Sequence, residues 1–149
     1  MPIGELAIRQ VVVATRESSV LEAAKLMRQY HVGAVVIADQ TGGRRMPVGI
    51  VTDRDIVLGV LAQEVDAMKL SIGDIMTGDL ITVRENEGVF ETIQLMRAKG
   101  ARRAPVVDSE GALVGIVSVD DLLELMAEEL SELAKLISRE QRQEAETRR

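Results

Sequence analysis

The sequence has no cysteine and almost no aromatic residues. It contains no Cys and no Trp, and a single Tyr and a single Phe among 149 residues. Without cysteine the chain can form neither a disulfide framework nor a thiolate nucleophile. The scarcity of aromatic rings also removes the stacking surfaces on which proteins hold single-stranded nucleic acid.

Long apolar runs and an excess of positive charge are missing as well. The longest apolar run, residues 32–38, is far shorter than the roughly 20 residues of a membrane-spanning helix. The formal net charge is −6, whereas nucleic-acid binding depends on a basic field. Residues 1–10 lack the basic-then-apolar order of a secretory signal. We therefore expect a cytoplasmic protein with no nucleic-acid and no membrane partner.

The most prominent feature of the sequence is an internal repeat. GIVTDRD at residues 49–55 recurs as GIVSVDD at residues 115–121, an offset of 66. Earlier in the chain the offset is 69, which relates IGEL at residues 3–6 to IGDI at residues 72–75. Three additional residues in one hairpin of the first copy account for the difference. The chain is therefore a tandem duplication.

The duplication divides the chain into three predicted parts. These are a first repeat over residues 1–70, a second over 71–128 and a helical extension over 129–149. Apolar residues recur along the last helix at spacings of four and three, namely at Leu122, Met126, Leu130, Leu133 and Ile137. This pattern is typical of a coiled-coil seam and needs a partner or a fold-back. We expect a homodimer.

Each repeat contains the same order of predicted elements. The predicted strands are residues 11–13, 32–38 and 48–51, and then 80–82, 105–107 and 113–117. In each copy a helix with apolar residues on one face follows the first strand, and a second helix begins after Thr52 or Ser118. Ser19 and Glu22 form a predicted capping box, and His31 is a predicted helix-end residue. A β-α-β-β-α unit of about 60 residues, present twice, predicts an α+β fold of two pseudo-symmetric repeats plus a long C-terminal helix.

The hydroxyl–acid pairs Thr52–Asp55 and Ser118–Asp121 permit two interpretations. One is structural, because T-x-x-D and S-x-x-D are typical of a capping box at a helix amino terminus. The other is a ligand site. The glycine upstream permits close approach of a ligand or a backbone, helix amides can receive phosphate oxygens, and a carboxylate can accept hydrogen bonds from both ribose hydroxyls. The two interpretations are compatible.

These segments, in this order, resemble the cystathionine-β-synthase (CBS) domain, and the tandem pair resembles a stand-alone Bateman module. The resemblance covers residues 3 to about 127 and rests on GIVTDRD, GIVSVDD, GDIMTGDLITV (73–83) and ARRAPVVD (101–108). It implies a pseudo-twofold pair of repeats whose central cleft offers two sites for adenosine-containing ligands.

The resemblance implies that each site draws on both repeats. In the Asp121 site, Ser118 and Asp121 would hold ribose and phosphate, and Arg102 and Arg103 would face the phosphates. The adenine there would lie against Val12, Val32, Gly33 and Ala34. The Asp55 site would use Thr52, Arg54 and Asp55, with the adenine against Ile81, Ala101, Arg102 and Arg103. For Arg102 and Arg103 the alternative is a solvated strand start.

The function implied is a regulatory module that senses AMP, ADP, ATP or another adenosyl compound and requires no cofactor. The alternative is a structural protein that binds no ligand, dimerises and contacts a partner through its helices. Either way we expect a downstream protein partner. No nucleophile, base and orienting group come together in the sequence, so we expect no catalytic residues and no enzyme. With one histidine and no cysteine we also expect no metal site.

Overall fold

A computed structural model describes residues 1–76 and 79–148. Its contacts divide the chain into two compact units, Met1–Val117 and Ser118–Arg149. Thr77 and Gly78, which belong to the GDIMTGDLITV segment, lie outside the described residues. The predicted α+β class is confirmed, since helices alternate with two three-stranded sheets.

The two sheets follow the duplication. The first has the order β1-β2-β3 and the second the order β4-β5-β6. The strands are β1 Val13–Ala14, β2 Ala34–Thr41, β3 Arg44–Thr52, β4 Val83–Arg84, β5 Arg103–Val107 and β6 Leu113–Ser118. β1 and β4 each run parallel to the next strand, while β2 and β3 are antiparallel.

The helices also correspond between the repeats. They are α1 Ile3–Leu6, α2 Val20–Tyr30, α3 Asp53–Ile56, α4 Ile72–Ile75, α5 Val89–Lys99 and α6 Val119–Thr147. α3 continues directly as a π-helix over Val57–Leu61. No helix within residues 1–76 and 79–148 is both long and apolar enough to span a membrane.

The predicted first strands, residues 11–13 and 80–82, are displaced. The first ladder begins where Val13 pairs with Val36, and the second where Val83 pairs with Val106. Val12 and Ile81 are half-buried but lie before the paired residues. The prediction was wrong by up to three residues because the pairing register with the next strand, and not the apolar pattern, sets where each strand begins; in the first repeat the Val12 carbonyl already accepts the Val36 N–H at 2.9 Å.

The first hairpin is longer than the second, as the offsets of the duplication indicate. Its strands have 8 and 9 residues, against 5 and 6 in the second hairpin. Gly42 and Gly43 connect them with φ angles of 59° and 78°. Two successive positive φ angles are what a two-residue hairpin turn requires, and glycine adopts them without strain.

α2 and α5 bury the faces predicted for them. The buried residues are Val20, Ala23 and Met27 in α2, and Val89, Thr92 and Met96 in α5. Ser19 and Glu22 form the predicted capping box at the start of α2. His31 ends the same helix in a left-handed conformation (φ 54°), which confirms it as a helix-end residue.

The first helix of each repeat packs against the other repeat. The Ile3 N–H donates to the Glu87 carbonyl at 2.7 Å, and the Ile72 N–H donates to the Ser18 carbonyl at 2.8 Å. Ile3 and Ile72 are both fully buried, with 0% of each residue exposed. The two repeats thus exchange their amino-terminal segments reciprocally, which is how the sequence duplication becomes a pseudo-twofold structure.

Candidate functional site

Both hydroxyl–acid pairs form capping boxes. At α3 the Asp55 N–H donates to Thr52 Oγ1 at 3.1 Å, and the Thr52 N–H donates to Asp55 Oδ2 at 2.9 Å. At α6 the Asp121 N–H donates to Ser118 Oγ at 3.2 Å, and the Ser118 N–H donates to Asp121 Oδ2 at 2.9 Å. The structural interpretation of the motif is confirmed, and each pair holds its side chains in a fixed orientation.

The glycine of each motif is explained by contact within the chain. A β-carbon at Gly115 would lie 3.0 Å from both the Ala7 Cβ and the Ile8 carbonyl oxygen. A β-carbon at Gly49 would lie 2.9 Å from the Met76 sulfur. In each case the neighbour comes from the start of the other repeat. These glycines therefore serve the exchange of segments between the repeats.

One cavity brings together predicted site residues from both repeats. We call it the arginine cavity, and it has a volume of about 410 Å³. It is lined by Ile50, Thr52, Asp53, Arg54, Ala101, Arg102 and Arg103. Its volume lies within the range of small-molecule sites. Three arginines and one aspartate give the lining a formal charge of +2, although the whole chain carries −6.

Gly33 and Ala34 lie beside residues of the arginine cavity. A β-carbon at Gly33 would be 3.2 Å from Arg103 Nη2 and 3.2 Å from Asp53 Oδ2. The Asp53 N–H also donates to the Gly33 carbonyl at 3.0 Å, and Ala34 pairs with Thr52 across the sheet. The absence of a side chain at residue 33 thus leaves space for an arginine and an aspartate at the edge of the cavity.

A second cavity contains two of the four first-repeat residues predicted to hold adenine, Val12 and Val32. We call it the valine cavity, and it has a volume of about 510 Å³. It is lined by Ile8, Gln10, Val11, Val12, Val13, Leu26, Tyr30, Val32 and Arg45. Val12 and Val32 thus line the same cavity. Its lining is apolar except for Gln10, the Tyr30 hydroxyl and Arg45.

Other predicted site residues are not among the lining residues of these cavities. Asp55 and Ile81 line neither of the two. Ser118 and Asp121 belong to the second unit, so the predicted Asp121 site stays a prediction. Within the described ranges, no group of three or more His, Asp or Glu side chains is placed to hold a metal ion.

The sequence prediction left out two residues that line the arginine cavity, Ile50 and Asp53. Both belong to GIVTDRD, so including every residue of the motif would have found them. In the valine cavity, Arg45 lies on the longer first hairpin, where the sequence favours a solvated turn and also permits a phosphate contact.

The clearest ion pair lies outside both cavities. Arg16 Nε donates to Asp39 Oδ1 at 3.0 Å, and this hydrogen bond raises the pKa of Arg16 above its ordinary value. Both side chains are strongly exposed, so the pair is a surface contact. It belongs to the surface of the first repeat, and neither residue lines a cavity described above.

The fold and these cavities define a tandem pair of CBS domains. The chain belongs to the CBS domain family, whose sequence model matches residues 3–61 and 72–128. It is 38% identical over 123 residues to an uncharacterised protein of Methanopyrus kandleri. That alignment covers 83% of this chain and 61% of the relative, so the chain spans about three fifths of that protein's length.

Solved structures show the same arrangement of elements. One is a CBS domain pair in complex with 5′-methylthioadenosine and S-adenosyl-L-methionine. It matches with a TM-score of 0.75 and 30% identity, over 87% of this chain and 98% of that chain. Another is the hexameric CBS-CP12 protein from bloom-forming cyanobacteria, with a TM-score of 0.73 and 29% identity, over 83% of this chain and 69% of that chain. The resemblance to a CBS pair is thereby confirmed.

Proposed function

We propose that this chain is a regulatory module that binds an adenosine compound carrying phosphate, such as AMP, ADP or ATP, in the arginine cavity. The observation that carries the proposal is the lining of that cavity, where Thr52 and Arg54 of the first repeat meet Ala101–Arg103 of the second. A related CBS pair that binds two adenosine compounds supports the ligand class. We assign the chain no catalytic step.

The charge of the arginine cavity supports an anionic ligand. Guanidinium groups such as those of Arg102 and Arg103 pair well with phosphate oxygens, because their donors match two acceptors at once. S-adenosylmethionine carries a sulfonium cation, which a lining of charge +2 disfavours. Among adenosine compounds, the nucleotides therefore fit this chain better than the sulfonium ligand of the related structure.

The capping box at Thr52 holds one residue of the cavity lining in a fixed orientation toward a ligand. Asp55 accepts the Thr52 N–H at 2.9 Å and so fixes a residue that lines the cavity. Asp55 does not itself line the cavity, so its part here is to position Thr52. A ligand held by residues of both repeats would favour the arrangement in which they are close, and this differential affinity is what sensing requires.

A binding panel tests the proposal. Thermal unfolding and isothermal titration would compare AMP, ADP, ATP, 5′-methylthioadenosine and S-adenosylmethionine. A ligand at 100 times its dissociation constant should stabilise the fold by about 2.7 kcal/mol. The double variant Arg102→Gln/Arg103→Gln should lower nucleotide affinity at least tenfold, because two phosphate contacts are lost. Arg97→Gln, an exposed position on α5, is the matched control and should change nothing.

Three outcomes have distinct meanings. Nucleotide binding that survives the double variant would place the site outside the arginine cavity. Binding lost in Asp121→Ala but retained in Arg54→Gln would favour the Asp121 site, because both predicted sites use Arg102 and Arg103 whereas Arg54 lines the arginine cavity. The absence of a shift with any of the five compounds would contradict the proposal.

A second candidate function is an interaction protein that uses its C-terminal helix. The observation in its favour is on α6, where Leu130, Leu133 and Ile137 are 66%, 57% and 57% exposed. Exposed apolar side chains in one stripe are typical of a protein contact surface. This function and ligand sensing are compatible, and a homodimer would serve either.

A further inference from the structure

α6 exposes a stripe of large apolar side chains at regular spacing. The stripe, here called the α6 seam, consists of Leu123, Met126, Leu130, Leu133 and Ile137. All of them except the half-buried Met126 are between 57% and 66% exposed. The sequence pattern placed the first position at Leu122, but that residue is only 5% exposed. The exposed stripe therefore begins at Leu123.

The spacing of the seam is that of a helix packed against another helix. Its members are alternately three and four residues apart, an average of about 3.5, the period that keeps one face of a helix against its partner. Such a stripe on a 29-residue helix is unstable in water unless it is covered. The seam therefore needs an apolar stripe of similar length as its partner.

The charges of α6 favour a second copy of the same helix in the opposite direction. Residues 119–134 contain six acidic residues and no Lys or Arg, whereas residues 135–143 contain three basic residues and one acidic residue. A parallel pair would place the two acidic segments side by side. An antiparallel pair places the acidic segment of one helix beside the basic segment of the other, and it also opposes the two helix dipoles.

One antiparallel register places four of the five seam residues opposite one another. With Leu130 opposite Leu133 of the second copy, Met126 comes opposite Ile137 of the second copy. The twofold symmetry of the pair generates the same two contacts again, so four apolar layers are covered. Leu123 lies opposite Glu140 of the second copy, beyond the four apolar layers.

The same register aligns the charges. It brings Glu128 to the level of Lys135 of the second copy, and Glu124 to the level of Arg139 of the second copy. These side chains lie away from the seam and act at longer range, so they set direction more than affinity. The charge levels select this register over the one with Met126 opposite Leu130 of the second copy, which would bring Glu128 to the level of Glu128 of the second copy.

We propose that two copies of this chain associate through the α6 seam as an antiparallel helix pair, with Met126 opposite Ile137 of the second copy. The contact is related by a twofold axis, so it closes at two copies and leaves no seam open for further growth. The association does not depend on a ligand in the arginine cavity. It can therefore fail or hold independently of the function proposed above.

The absence of native cysteine makes a cross-linking test direct. The full chain is prepared as two single variants, Met126→Cys and Ile137→Cys, and each is oxidised alone and after mixing. The antiparallel register predicts a disulfide-linked dimer only in the mixture, because α-carbons must be within about 7 Å to be bridged. Glu128→Cys mixed with Lys135→Cys is the matched control. It has the same register but faces outward, so it should remain uncross-linked.

Light scattering of the unmodified chain and of Leu130→Glu completes the test. The unmodified chain should have the mass of a dimer, and the variant that of a monomer with unchanged circular dichroism. Cross-linking of Met126→Cys with itself would overturn the orientation. A monomeric unmodified chain at tens of micromolar, or a mixture no more cross-linked than the control, would overturn the proposal.

Discussion

Gly115 lies where the structure has no space for a β-carbon. The atoms nearest to that position are the Ala7 Cβ and the backbone carbonyl of Ile8, both at 3.0 Å. Neither can rotate away, because one is bonded directly to the main chain and the other belongs to it. Gly59 is different, since nothing lies within 4 Å of the position a β-carbon would take.

These environments predict opposite effects for the same substitution. Gly115→Ala should lower the free energy of unfolding by about 1–3 kcal/mol, as inserted methyl groups do in tightly packed sites. Gly59→Ala, in the π-helix after α3, should raise it by about 0.5–1 kcal/mol because alanine loses less backbone entropy. Equal effects of the two variants in urea unfolding would contradict this account.

At the scale of elements, capping boxes begin helices with different roles. At α2 the Glu22 N–H donates to Ser19 Oγ at 3.1 Å, and at α3 the Asp55 N–H donates to Thr52 Oγ1 at the same distance, 3.1 Å. The local geometry is alike, but Thr52 lines the arginine cavity, whereas Ser19 lines neither cavity. The two caps can therefore separate stability from ligand binding.

Removal of each cap should destabilise the fold to a similar degree. Ser19→Ala and Thr52→Ala should each lower the free energy of unfolding by about 1 kcal/mol, the usual cost of losing an N-cap. Thr52→Ala should also weaken nucleotide binding in isothermal titration, and Ser19→Ala should not. A parallel loss of affinity in both variants would show that the effect comes from stability alone.

At the scale of the whole molecule, the repeats depend on each other through their exchanged segments. Ile3 is fully buried (0% exposed), and the segment that it anchors continues to Ile8, whose carbonyl accepts the Ile116 N–H at 3.0 Å. A substitution in the first residues of the chain should therefore weaken backbone hydrogen bonds in the second repeat.

Truncation of this anchor gives a measurable effect far along the sequence. Ile3→Ala should lower the free energy of unfolding by about 2–5 kcal/mol, since it leaves a cavity in the core. Hydrogen exchange should speed up at the Ile116 amide. Ile8→Ala is the control, because Ile8 is 50% exposed and its side chain contributes less. Unchanged exchange at Ile116 in Ile3→Ala would show that the segment is not held by this anchor.

The sequence by itself determined the features that depend on neighbours within a few residues. The capping boxes at Ser19, Thr52 and Ser118 were predicted and are present, because each joins a residue to one three positions later. The turn of the first hairpin is equally local, since Gly42 and Gly43 are adjacent and both have a positive φ. The duplication, which is visible as a repeated pattern, predicted the α+β class and the CBS pair.

Only the tertiary structure decided what lies together from distant parts of the chain. The ends of β1 and β4 depend on where β2 and β5 pair with them, so the sequence misplaced them. Residues from the start of the other repeat fill the space beside the glycines of the repeated motif. The arginine cavity likewise forms because folding brings GIVTDRD against residues 101–103. Local patterns carry no record of such long-range packing: the grouping of Thr52 and Arg54 with residues 101–103 was an expectation from the family resemblance, and the structure adds Ile50 and Asp53 and leaves out Asp55 and Ile81.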